Sequence, residues 1–303
     1  MQKLIKNQHN DVHHFSSSSL GLAFLVALFG ISACGTSSSE VVDTDPKGKS
    51  AGNQAFTCKS PQVGDRQEVR MEFGHVSARN EPGQDPETGS TVYASRQEVL
   101  SVQGEAVTKL KILVLESKNK NFYDGETHEE VSKNVGQAFL VAWMGRYFEV
   151  QSLDGTRMEG NEGQRDWEDV KAIAHFRQDV GKPSPLHLAL NGYAPRVGPV
   201  PEAQKKALLA WLKFGEKDSD DEKLVIYATV KEILPGAHGP TVVFQFEFKT
   251  PVDRKADPVQ VQRTIELRIQ LTGCAFLEMK MRDETHVEGK SQGISTGQIT
   301  HSY

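Results

Sequence analysis

The sequence predicts an α+β fold: mainly an antiparallel β-sheet, shaped as a curved meander or half-barrel, with two helices between its β-rich halves. Three observations predict it. Apolar and polar residues alternate in several short runs, which is typical of strands with one buried face. Two stretches near the middle instead repeat apolar residues at helical spacing. The runs in the last third follow one another closely, so helices are expected on one sheet face and polar side chains on the other.

The first strands are predicted where the alternation begins. Val69, Met71 and Phe73 alternate with polar residues, and His75 continues the pattern as a half-buried sheet residue. Further short strands are predicted at residues 108–116, 138–144 and 146–153, the last two on either side of a glycine.

The last third of the chain predicts four more strands, at 224–230, 242–248, 265–271 and 275–281. The last two runs also predict a pairing register that suits both faces, because apolar residues meet on one side and opposite charges on the other. The predicted pairs are Ile265 with Met281, Leu267 with Met279, Ile269 with Leu277, Arg268 with Glu278, and Glu266 with Lys280. The loop of this hairpin is expected at residues 272–274.

Two helices are predicted between these groups of strands. Residues 164–178 place Trp167, Val170, Ile173 and Ala174 on one face. Residues 202–214 follow Pro201, and their apolar stripe consists of Ala207, Leu208, Trp211 and Leu212. Both stripes are expected to pack into the core.

Charge and hydropathy exclude two classes of protein. The chain has 303 residues and a formal charge of −5, whereas a nucleic-acid-binding protein needs a clustered basic surface. No apolar run reaches the roughly 18 residues of a membrane-spanning helix.

The first 33 residues have the organisation of a secretory signal peptide. Lys3 and Lys6 lie in a polar start, residues 20–31 carry no charge, and small residues follow. Such a leader is removed from the mature protein, so residues 1–33 are left out of the fold prediction.

The end of this leader resembles the lipobox of bacterial lipoproteins, because Ile31, Ser32, Ala33 and Cys34 give an aliphatic residue, two small residues and a cysteine. The resemblance implies cleavage before Cys34, a diacylglyceryl group on its thiol and an acyl chain, such as palmitate, on the new amino terminus. Gly35 in place of an aspartate favours the outer membrane. The alternative is a plain signal peptide cut after Ala33, with Cys34 incidental.

The mature chain then divides into a tether and one domain. Residues 34–55 are rich in Ser, Gly, Asp and Lys and show no hydrophobic period, which predicts a flexible tether. Residues 56–303 are expected to form a single β-rich domain. With Cys34 lipidated, Cys58 and Cys274 remain, and an even number in an exported protein favours a disulfide between them over two free thiols.

No pattern in the sequence identifies a catalytic or metal site, and no cofactor is expected. Residues 293–297 match the G-x-S-x-G serine-hydrolase motif, but the motif needs a strand-to-helix turn and here stands in a polar C-terminal tail. His175 and Asp179 share one helix face, yet two ligands do not make a metal site.

Three function classes stay open on this sequence. The first is a non-catalytic envelope lipoprotein that binds an apolar ligand, such as a lipid, or an envelope protein partner; its fold resembles that of the lipid-carrying half-barrels of the periplasm. The second is a structural or assembly component of the envelope, and the third is a hydrolase with dispersed catalytic residues. In the first case an apolar cavity is expected, lined by Phe244, Phe246, Phe248, Ile269 and Met279.

Lipidation predicts how the protein divides between membrane and soluble fractions. We expect the wild-type protein in the membrane fraction, because several acyl chains anchor stably where one is marginal. Cys34→Ser should move the protein out of that fraction and abolish incorporation of a labelled fatty acid. A Cys58→Ser variant serves as the control for losing a cysteine. Unchanged labelling of Cys34→Ser would contradict the prediction.

Overall fold

The computed structural model describes residues 54–77, 86–123, 125–146, 148–157, 180–181, 183–212, 225–236, 238–249, 259–287 and 290–303. The predicted helix at 164–178, with His175 and Asp179, lies outside them, as do the leader and most of the tether.

The strands are β1 (Thr57–Cys58), β2 (Arg66–Ser77), β3 (Glu87–Gln103), β4 (Ala106–Tyr123), β5 (Glu126–Val131), β6 (Ala138–Trp143), β7 (Phe148–Gln151), β8 (Gly198–Pro199), β9 (Val225–Leu234), β10 (Thr241–Lys249), β11 (Val259–Gln270), β12 (Thr272–Gly273), β13 (Phe276–Val287) and β14 (Lys290–Ser302). The helices are α1 (Pro185–Leu190) and α2 (Glu202–Trp211).

One twelve-stranded antiparallel sheet dominates the fold, as predicted. Its strand order is β7-β6-β4-β3-β2-β14-β13-β11-β10-β9-β8, with β5 paired to β4. The sheet is not closed into a barrel. The pairing of β2 with β14 joins the first long strand to the last one in the middle of the sheet.

Strand alternation gives the sheet two different faces. On β2, Val69 and Met71 are buried, while Arg70 between them is exposed. We call the side of Met71 the core face and the side of Arg70 the outer face. Antiparallel partners share a face, so the register carries this division across neighbouring strands.

The two helices lie between β7 and β9 in the chain and contribute to the core. Leu208, Trp211 and Leu212 are almost fully buried, which confirms the predicted apolar stripe. Trp211 packs edge-on against Phe276 of β13, with ring centroids 5.6 Å apart. Neither described helix is long and apolar enough to cross a membrane.

The predicted C-terminal meander is confirmed, because β9, β10, β11 and β13 pair in sequence. Four of the five predicted pairs between β11 and β13 are correct, from Ile265–Met281 to Arg268–Glu278. The fifth is wrong: a bulge between Arg268 and Ile269 shifts the register, so Ile269 pairs with Phe276 and not with Leu277. Phe276 therefore takes the core position and is 1% exposed.

Two long strands of the centre of the sheet were not predicted, β3 and β14. The C-terminal residues expected to be a polar tail form β14, which pairs with β2 and β13 along most of its length. The buried side chains of β14 are few, since Ile299 and His301 alternate with glycine and polar residues. An apolar alternation this sparse does not distinguish a strand from a loop.

β3 escapes the alternation rule because polar side chains occupy the core face between the buried Tyr93 and Val99. Ser95 and Gln97 are at most 2% exposed. Gln67 donates from Nε2 to Oε1 of Gln97 at 3.0 Å, and Gln97 Nε2 donates to Ser95 Oγ at 3.3 Å. Because buried polar groups are tolerated when they are hydrogen-bonded, this strand is buried without an apolar pattern.

The first described residues of the domain pack against aromatic side chains of the core. Phe56 is fully buried and stacks on Tyr193 and Phe244, and β1 pairs in parallel with β12. Cys58 and Cys274 are bonded as a disulfide, with Cα atoms 4.6 Å apart and 216 positions between them in sequence. The predicted pairing is thus present in the structure, and it attaches β1 to the turn before β13.

The disulfide closes a long loop, so it should contribute strongly to stability. In the chain-entropy model a loop of this size is worth about 5 kcal/mol, and native-state adjustments usually lower the observed figure. We expect the double variant Cys58→Ser/Cys274→Ser to lose about 3–5 kcal/mol of unfolding free energy in denaturant titrations. Reduced and oxidised wild-type protein, compared in the same titration, give the matched control. Equal midpoints for all samples would show that the bridge is absent or without effect.

Candidate functional site

Two neighbouring rows of core-face residues cross the middle of the sheet, beyond the level of Trp211 and Phe276. The register defines each row, strand by strand. The apolar row is Ile265, Met281, Gly297, Phe73, Thr91 and Asn119. The polar row, one step further from the helices, is Arg263, Asp283, Ser295, His75, Gly89 and Asn121.

The centre of the apolar row is built over a glycine. A Cβ atom at Gly297 would lie 2.8 Å from Cε1 of Phe73 and 3.5 Å from Cε of Met281. The absence of a side chain on β14 thus lets Phe73 from β2 and Met281 from β13 extend over the strand between them. Both are only partly buried, and both pack against the buried core.

A second glycine underlies the centre of the polar row. A Cβ atom at Gly89 would lie 2.1 Å from Cε1 of His75, and 2.7 Å from both Nδ1 of His75 and Oδ1 of Asn121. The imidazole of β2 and the carboxamide of β4 therefore converge above β3. His75 is partly buried, as predicted from the alternation.

The polar row ends in a buried ion pair. Arg263 donates from Nε and Nη2 to the two carboxylate oxygens of Asp283, at 2.7 and 2.9 Å. The side chain of Arg263 is 7% exposed, and its guanidinium lies 5.9 Å from the ring centroid of Phe248. A two-point pair of this kind holds both charges in a fixed geometry.

The outer face of the same strands is charged. Lys231, Glu266, Arg268 and Glu278 form a chain of ion pairs at 2.9–3.3 Å across β9, β11 and β13. Burial alone would raise the pKa of Glu266, but its hydrogen bonds to Lys231 and Arg268 and their charges outweigh it and lower that pKa. The hydrogen bond to Glu266 raises the pKa of Lys231.

Two shallow depressions, of about 370 and 340 Å³, lie mainly on this outer face. Outer-face residues such as Val76, Ser90 and Lys120 line most of the first, and His75 and Gly89 of the polar row also border it. The residues predicted to line an apolar cavity line neither depression. Those residues, Phe244, Phe246, Phe248, Ile269 and Met279, are at most 2% exposed and belong to the core. A cavity beside them stays a prediction.

The serine-hydrolase motif falls inside a strand. Ser295 lies in the middle of β14 and not at the strand-to-helix turn that the motif requires, whereas the sequence predicted a polar tail there. Ser295 is the register partner of His75, but no hydrogen bond joins their side chains. Among the described residues, no three His, Cys, Asp or Glu side chains cluster as metal ligands do.

Sequence reasoning identified one member of the polar row, His75, and missed its neighbours. Asn121 and Gly89 become recognisable only through the register of β3, which the alternation did not predict. The signal that could have found them is glycine at isolated core-face positions: Gly89 on β3, and Gly293 and Gly297 on β14.

No family model matches this chain, and no curated protein matches it. Weak similarities exist to solved structures. The chain of lipovitellin shares 7% identity at a TM-score of 0.36; the match covers 79% of this chain and 25% of lipovitellin, so this chain spans about a quarter of that protein. DynF from the dynemicin pathway of Micromonospora chersina shares 7% identity at a TM-score of 0.20, and the match covers 91% of this chain and 94% of DynF. A beta-barrel-like DUF1849 protein from Brucella abortus shares 11% identity at a TM-score of 0.19, and the match covers 80% of this chain and 98% of that protein. None reaches 0.5, so no conclusion about this chain follows from them.

The ion pair of the polar row should stabilise the site measurably. Asp283→Ala removes the carboxylate that the buried Arg263 contacts at two points, which we expect to lower the unfolding free energy by about 3–5 kcal/mol. Glu98→Ala, which removes the partner of the exposed Arg66 on the outer face, should lower it by less than about 1 kcal/mol. Denaturant titration measures both. Similar losses would contradict the assignment of Arg263 and Asp283 as a buried structural pair.

Proposed function

We propose that this protein is a lipid-anchored, non-catalytic protein of the bacterial cell envelope, held at the outer membrane, which binds an apolar ligand on the core face of its sheet. The lipobox-type sequence ending at Cys34 supports the anchor and the location. The ligand is the part of the proposal that rests on the fold.

The observation that carries the proposal is the apolar row. Phe73 and Met281 continue the buried core beyond the level of Trp211, yet each keeps part of its surface accessible. An apolar ligand that covers them removes this surface from water, which is favourable by about 25 cal/mol per Å². Charged pairs cross the outer face of the described strands from Arg66 to Lys280, so no comparable strip is found among the residues that the structure describes.

The local backbone favours binding over hydrolysis. Ser295 is paired on both sides, with His75 of β2 and Asp283 of β13, so the strand's N–H groups serve the sheet. Acyl transfer needs N–H groups or other donors that are directed at a developing oxyanion. The third function class, a hydrolase, therefore has less support here than a binding protein.

Native mass spectrometry tests the ligand. We would produce the mature chain from residue 34 with Cys34→Ser, purify it without detergent, and incubate it with membrane lipids. A recurring added mass that disappears on denaturation is expected, and its chemistry would identify the ligand class. A bare mass under all conditions would overturn the proposal and favour the assembly-component class.

A matched pair of variants on β2 tests which face of the sheet binds the ligand. Phe73→Ser removes an apolar contact on the core face, and we expect roughly ten- to hundredfold weaker binding, the equivalent of burying such a side chain. Val76→Ser removes an apolar side chain from the outer face of the same strand and should leave binding unchanged. Equal effects of the two substitutions would place the ligand elsewhere.

A further inference from the structure

The polar row suggests what kind of ligand the apolar row receives. We infer that His75 and Asn121 form a recognition site for an uncharged, hydroxyl-bearing head group, of the glycerol or sugar type, attached to the apolar chain. This inference rests on the proposed function, because it requires that a ligand binds on the core face.

The position of the two side chains fits a head group. His75 follows Phe73 by two residues on β2, so both point to the core face, one step apart. His75 Nδ1 and Asn121 Oδ1 each lie 2.7 Å from the point where a Gly89 side chain would begin. An amphipathic molecule lying along the strands would therefore place its apolar chain against Phe73 and its polar end against His75, two residues further along β2.

Both side chains have hydrogen-bonding capacity left for a ligand. A neutral imidazole has one donor and one acceptor, and a carboxamide has two donors and one acceptor oxygen. Neither His75 nor Asn121 makes a side-chain hydrogen bond to any described residue. One step closer to the helices, by contrast, Thr91 Oγ1 donates to Asn119 Oδ1 at 3.0 Å. A hydroxyl group both donates and accepts, so it can satisfy the two facing groups together.

The charge distribution disfavours an anionic head. Among the strand side chains that the structure describes, Arg263 is the one lysine or arginine on the core face, and it donates to both carboxylate oxygens of Asp283. The other basic side chains that the structure describes on these strands, such as Lys120 and Arg282, lie on the outer face. An anion at the polar row would lose water without gaining a cation of its own, which is costly in a partly buried place.

Three probes with the same sixteen-carbon chain separate the possibilities: 1-palmitoylglycerol, palmitate and hexadecylamine. We would measure their affinities for the Cys34→Ser mature chain by competition in native mass spectrometry. The glycerol ester should bind at least about tenfold more tightly than either charged probe, as expected for one to two additional hydrogen bonds of about 1 kcal/mol each. Equal or tighter binding of palmitate or hexadecylamine would overturn the head-group inference.

The sharpest variant adds one methyl group. Gly89→Ala would place its Cβ 2.1 Å from Cε1 of His75, so the imidazole must leave its position although no polar group is removed. We expect about tenfold weaker binding of the glycerol ester and little change for palmitate. Ser90→Ala, on the outer face of the same strand, is the matched control. Asn121→Leu tests the same site with a side chain of similar volume if Gly89→Ala does not fold.

The outcomes keep the two proposals apart. If none of the three probes binds, the ligand function itself fails. If all three bind equally and Gly89→Ala and Asn121→Leu leave each affinity unchanged, an apolar ligand is bound but His75 and Asn121 do not recognise its head. Selective loss of the glycerol ester in both variants, with the thermal unfolding midpoint retained, would support the inference.

Discussion

The pairing of β2 with β14 is the constraint on which the rest of the structure depends. It joins the N-terminal strands to the C-terminal meander, and it runs through the middle of both rows of the candidate site. Because side chains alternate, a slip of one residue at this joint would turn Phe73 and His75 to the outer face relative to Ile299. The register of a glycine-rich strand therefore decides which side chains from opposite halves of the chain can meet.

The sequence allows the C-terminal meander to be predicted, because its strands combine an apolar side with complementary charges on the other, as in Arg268 and Glu278. The same reasoning fails on β3 and β14 for a physical reason. In β3 two of the buried places between Tyr93 and Val99 belong to Ser95 and Gln97, which are tolerated because they hydrogen-bond to one another and to Gln67. Hydropathy alternation detects a strand only where its buried side chains are apolar. A strand that buries hydrogen-bonded polar side chains is therefore not predicted by it.

The candidate site shows the same division between what a pattern can and cannot predict. His75 follows the alternation of its own strand and could be assigned to the core face from the sequence. Its convergence with Asn121 depends on a missing side chain at Gly89 of the strand between them. That relation involves three strands and two registers, and no local property of the residues encodes it. The same holds for Phe73 and Met281 above Gly297.

The way the chain enters the domain has a mechanical consequence. A pull on the chain ahead of Phe56 reaches the fold first at Phe56, whose backbone hydrogen-bonds to Gly192 and Tyr193, and then at β1, a two-residue strand whose few hydrogen bonds would separate easily. The bond from Cys58 to Cys274 passes the load directly to the turn between β11 and β13, inside the large sheet. If the proposed lipid anchor holds that end, tension between the membrane and the domain would enter the sheet at β11 and β13 and would bypass β2, β3 and β4, which carry His75, Gly89 and Asn121.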